Sequence, residues 1–167
     1  MDIYQPFIYI MWLGFLDHNL SVILNETIRN NAVNSNIYVL MESLLYLWLF
    51  KNWGAFFKRM TIFYFLIVFL IAVWGYDNLV RNSIITTNSL FRIVYSFVLI
   101  FLSIEQLNRL ITTARKNILR NSIFVICTGI IIYFSYKATT EVFYFIRLKA
   151  STQFYINIST IMVFINY

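Results

Sequence analysis

The chain is short of most things that a water-soluble domain of its size uses. One proline and four glycines in 167 residues leave few helix breakers, so long uninterrupted helices are available. A single cysteine excludes a disulfide framework, and with a single histidine beside it no metal-binding set exists. Charged residues make up 12%, where a soluble domain carries about a quarter. Acidic residues are the scarcer sign, seven against thirteen Lys and Arg, for a net charge of +6. A glycine-rich phosphate loop, a nucleophile elbow and a di-iron pair of carboxylates on one helix are all missing from the sequence. The expectation is a non-enzymatic protein with no catalytic residue, cofactor or metal.

What is present is apolar. Hydrophobic residues reach 60% and aromatic residues 20%, with seventeen Phe and twelve Tyr. A soluble fold of this length has no core large enough to hide that surface. Large rings do suit lipid-facing and interfacial positions. The excess basic charge falls in two short segments between apolar runs, as in loops that face a negatively charged leaflet. It does not spread over a polar domain, so nucleic acid is not an expected partner. The lipid bilayer is.

Only helices and closed barrels satisfy their backbone in lipid. The apolar runs here are continuous and do not alternate, so the expected fold is all-α: a polytopic transmembrane helix bundle of five to six spans forming one integral membrane domain over 1–167. A span needs about 20 residues, with 17 to 25 tolerated. Candidate spans are 3–24, 33–50, 60–76, 84–104, 122–146 and 151–167. Asp17, His18 and Asn19 interrupt the first, which reads either as a full span or as a re-entrant or interfacial piece; the last is barely long enough. The segment "MTIFYFLIVFLIAVWGY" is the cleanest, without a charge. The N-terminus lacks a basic region and a small-residue cleavage site, and so does not read as a removable signal. The glycosylation-type triplets "NLS", "NET" and "NIS" are what an Asn-rich sequence produces by chance.

Loop charge sets orientation. Lys51, Lys58 and Arg59 follow the second span, and Arg109, Arg115, Lys116 and Arg120 follow the fourth; the opposite loops hold only Arg29 and Arg81. The positive-inside rule places the two basic loops in the cytoplasm. Lys137, Arg147 and Lys149 dissent from that arrangement. Within "EQLNRLITTARKNILRN", Leu107, Leu110, Ile111, Ala114 and Ile118 recur at helical spacing. The 105–121 segment therefore reads as an extension of the fourth helix lying on the headgroups, or as a docking surface for a cytoplasmic protein.

Ionisable groups inside the spans are the candidate site residues, because each costs about 2.5–3.5 kcal/mol at the bilayer centre and needs a partner or water. Glu42 has Tyr38 and Tyr46 one turn away on either side, and Arg92 has Asn88 and Ser96 likewise. If the two faces meet, Glu42 and Arg92 form a buried pair that clamps two helices, or the same residues serve a ligand or proton. Otherwise Arg92 extends to the near interface. Lys137 and Glu141 are four apart and read as a local ion pair. Asp17 and His18 read as interfacial residues, with a proton relay as the sharper alternative.

At "NSNIYVLMESLLYLWLFKNWG" and "FRIVYSFVLIFLSIEQLNRLI" the chain resembles uncharacterised bacterial multi-pass inner-membrane proteins of roughly seven helices. The resemblance rests on hydropathy and on landmarks such as Glu42 and "FKNW". It implies a sensor-like protein of the bacterial inner membrane, with no activity or site residue to carry over. It also implies a further span at each end, or short outer spans that serve instead. The expected role is a sensing or partner-interaction module acting through 105–121. The rivals are a small transporter or channel lined by Glu42, Arg92, Lys137 and Glu141, and a membrane subunit of an enzyme that supplies no catalytic residue itself.

Overall fold

In the computed structural model the chain is described over residues 2–27, 30–57, 59–81, 84–86, 89–113, 120–146 and 160. Among these residues every regular element is helical. A short 3-10 turn, Asp2–Tyr4, leads into α1 (Gln5–Thr27), followed by α2 (Ala32–Asn52), α3 (Met60–Gly75), α4 (Ser89–Thr113) and α5 (Ser122–Ile146). A π-helical stretch, Tyr76–Arg81, prolongs α3. At about 1.5 Å per residue the 23 residues of α1 extend some 35 Å, enough for the hydrocarbon of a bilayer. Four helices are long and apolar enough to cross a membrane: Gln5–Thr27, Met60–Arg81, Ser89–Thr112 and Ser122–Phe143. The chain is thus a membrane-embedded, all-α protein. Apart from residue 160, the sixth expected span, 151–167, lies outside the described residues, as does the stretch 114–119.

The contact pattern divides the chain into two compact units, Met1–Phe91 and Arg92–Tyr167. In the first, α1 and α3 both pack on α2. α2 is as long as a span but is not among the four apolar ones, because Asn34, Ser35, Asn36, Glu42 and Ser43 dilute it. Its buried set, Asn36, Val39, Glu42, Ser43, Tyr46, Leu47, Leu49 and Phe50, lies on one face, while Ile37, Met41 and Trp48 on the opposite side are exposed. Around it the neighbours present apolar side chains outward: only 6% of the α1 span is buried, with Trp12, Phe15, Leu16 and Ile23 each about 60% exposed. Lipid satisfies such a surface, whereas water would not.

α1 and α2 run antiparallel, in a register marked by four contacts. Tyr9 stacks on Trp48 at 5.9 Å, α1 passes the Tyr38 hydroxyl at Gly14, Asn34 donates to Asp17 at 2.6 Å and Asn31 donates to Ser21 at 2.6 Å. Asp17 therefore works within the helix pair, while His18 is exposed. The exit of α2 is a Schellman turn. Ala55 N–H bonds Phe50 O at 3.0 Å and Gly54 N–H bonds Lys51 O at 2.9 Å, with Gly54 at φ 78°, a conformation that glycine adopts without steric cost. Phe50, Trp53, Phe56 and Phe63 fill the corner behind it, all at 7% exposure or less.

The fourth span begins later than the sequence suggested, at Ser89 and not at residue 84. Ile84 and Thr86 form a turn whose carbonyls are held by a side chain of α2, which prevents them from entering the helix. In the second unit, Phe91 just before it and then Tyr95, Leu99, Leu102 and Gln106 make one buried stripe on α4, and Cys127, Ile130, Phe134, Ala138 and Glu141 one on α5. The spacing of three and four is that of a helix with a single inward face.

Candidate functional site

Two polar clusters lie inside the apolar helices, one in each unit. The first surrounds the junction of α3 and its π-helical end. Asn36, 1% exposed on the first turns of α2, donates through Nδ2 to Ile84 O at 3.1 Å and to Thr86 O at 2.8 Å. Trp74 on α3 donates its indole N–H to Asn36 O at 2.8 Å. One turn on, Asn78 donates to Trp74 O at 2.8 Å. Asp77, fully buried, accepts the backbone N–H of Phe91 at 2.9 Å and lies 3.7 Å from the guanidinium of Arg81. Phe91 is the third residue of α4, so Asp77 serves as that helix's N-terminal cap from a distant segment. The amide oxygens of Asn36 and Asn78 are buried and have no hydrogen-bond donor among the described residues. A buried acceptor left so costs about 1–3 kcal/mol.

The second cluster joins the beginning of α4 to the later turns of α5. Arg92 lies 3.6 Å from Glu141, with side chains 13% and 12% exposed. Lys137, one turn before Glu141, holds its ammonium 5.1 Å from the ring centre of Tyr95 and 5.4 Å from those of Tyr133 and Phe134. A cation over ring faces is held by their negative quadrupole. Tyr95 and Phe134 meet edge to face at 5.5 Å. Both charges of the ion pair oppose their own helix dipoles: a cation sits at the start of α4 and an anion near the end of α5. Each answers the other across the helix pair.

These placements add a contact that sequence spacing did not propose. Sequence spacing offered Glu42 for Arg92 and Glu141 for Lys137; the structure brings Glu141 to Arg92 and places Lys137 over aromatic rings. Spacing along one helix says which residues share a face, but not which helix that face meets. Glu42, 3% exposed, accepts from the Tyr38 hydroxyl at 3.3 Å, and Tyr46 on the same face is buried. Ser96 turns back to Arg92 O at 2.6 Å. Asn88, Lys58, Arg115 and Lys116 lie outside the described residues. Of the other basic residues, Arg59, Arg109 and Arg120 are exposed. Lys51 is half-buried, its ammonium 4.9 Å above the ring of Phe63. Arg109 also donates to Gln106 at 2.8 Å.

Asp77, Asn36, Asn78 and Trp74 are functional candidates that sequence reading passed over. Asp77 and Asn78 stand at the end of a span, where polar residues are expected anyway. The one available signal was the pair itself, placed directly after the aromatic end of an uncharged helix. Comparison with protein-family models, curated proteins and solved structures returns no match.

Proposed function

We propose that the protein is a non-enzymatic module of the bacterial inner membrane that responds to its surroundings and passes the change to a protein partner through the 105–121 segment. The observation that carries this reading is the contact between Arg92 and Glu141. Charges that line a transport pathway must remain open to water or cargo, whereas these two answer each other between neighbouring helices. Such a pair sets helix register, and a change in register at the base of α4 reaches the basic residues at its far end. The flanks of that segment, Arg109 and Arg120, are exposed, as a docking surface requires. The basic residues of two loops support a cytoplasmic position for it by the positive-inside rule.

The test is purification of the full chain from native membranes, with and without neutralisation of Arg115, Lys116 and Arg120. A partner that co-purifies with the natural chain and is lost from the variant supports the module. A substrate- or proton-dependent flux into vesicles, abolished by Glu42→Gln or Glu141→Gln in folded protein, overturns it in favour of a transporter.

A further inference from the structure

α1 has one face packed and one left open. Gly14, Asp17 and Ser21, spaced by three and four, meet α2. On the opposite side Ile8, Trp12, Phe15, Asn19, Val22 and Glu26 follow the same alternation, and all six are exposed. Threes and fours that repeat after seven residues mark the seam of a two-stranded coiled coil. The seam carries a groove of about 420 Å³ lined by Phe7, Ile8, Met11, Trp12 and Phe15. All five belong to α1, and Trp12 stands edge to face with Phe15 at 6.1 Å.

Lipid suits the apolar members of this seam but not Asn19. Asn19 is the fifteenth of the 23 residues in α1, about 4.5 Å along the axis from the helix centre. In a membrane it therefore lies within the hydrocarbon. Its Nδ2 gives one hydrogen to Phe15 O at 2.7 Å. The second hydrogen and the amide oxygen meet no partner among the described residues, and lipid offers none.

We propose that the open face of α1 binds the same face of a second copy, in a parallel two-fold dimer closed by hydrogen bonds between the two Asn19 amides. Copies in one membrane share one orientation, so their α1 helices meet parallel. A two-fold axis along the bilayer normal then sets each seam position against itself. Asn19 facing Asn19 is self-complementary, because each amide has a hydrogen to give and an oxygen to receive. A partner of different sequence would need its own polar group at that depth, whereas a second copy supplies one by symmetry. A lone Asn in such a seam fixes register, and polar side chains join helices within membranes. The groove seats the large rings of one copy against the other. Glu26 also meets itself, but in the last turns of α1, where water and salt screen the two charges. The dimer stands whether or not the 105–121 segment docks a partner.

Energy transfer tests it, using full chains that carry either a donor or an acceptor dye at the N-terminus, mixed in phosphatidylcholine vesicles over a range of protein-to-lipid ratios. The expected result is transfer above the random-mixing level that follows a monomer–dimer curve. Asn19→Leu shifts its midpoint about tenfold toward higher protein density. In chains that also carry Cys127→Ser, oxidation links Phe15→Cys to its counterpart in a second chain and leaves Leu20→Cys, on the flank of the helix, unlinked. Transfer at the random level assigns the face to lipid or to another helix of the same chain and overturns the proposal. So does a midpoint unmoved by Asn19→Leu. Crosslinking as fast at Leu20→Cys as at Phe15→Cys overturns it too, a comparison that stands even if Asn19→Leu does not fold.

Discussion

Asn36 and Arg92 occupy similar places, each within the first turns of its helix, and the two units use them in opposite ways. Asn36 reaches out of α2 to seize backbone: the carbonyls of the 84–86 turn. Arg92 reaches from α4 to a side chain, Glu141 on α5. In the first unit, buried polarity ties down irregular chain between two spans, and Asp77 completes the work by capping α4. In the second, buried polarity matches charge to charge between regular helices. A neutral amide can hold backbone without carrying charge into an apolar region. A charge so placed needs a partner, which the neighbouring helix supplies.

That contrast can be broken most forcefully at the ion pair. Glu141→Ala removes a buried carboxylate beside Arg92, and unfolding in mixed micelles should show a loss of about 3 kcal/mol. The double variant Arg92→Leu with Glu141→Leu should recover most of it, since two apolar side chains need no partner; a double variant as unstable as the single would show that charge matching is not what the pair contributes. Asn36→Leu should cost about 2 kcal/mol through its two lost hydrogen bonds. Hydrogen exchange should rise around 84–91 while that of α5 stays as before; faster exchange in α5 would erase the distinction between the units. Asp77→Ala frees the N–H of Phe91, and about 1 kcal/mol is expected for a lost cap, with Asp77→Asn milder because an acceptor remains. Smallest of all, Lys137→Met exchanges a cation over rings for an apolar chain of similar length, and a change within about 1 kcal/mol is expected. A larger loss would mean that the Lys137 charge contributes more than its contact with the rings.

Much of the architecture was legible in the residues. The span read at 122–146 coincides with α5, and the uncharged run from Met60 became α3, because a continuous apolar stretch of that length has no alternative to a helix in lipid. The polar face of α2 was legible too, since Tyr38, Glu42 and Tyr46 follow one turn after another. What escaped was every relation between elements. Asn36 drew no reading from the sequence, yet it holds the carbonyls of the turn that precedes α4. Asp77 read as part of a loop, yet it caps a helix fourteen residues on.

The sequence by itself determined the solvent and the fold class: too little charge, too many rings and too few breakers for anything but helices in a membrane. It also named the ionisable residues that had to find partners. Only the tertiary structure decided who those partners are. Helical periodicity orders residues around an axis, and the meeting of Arg92 with Glu141 depends on which axes lie side by side. That choice is made by the packing of whole faces, of which the charged residues are a small part.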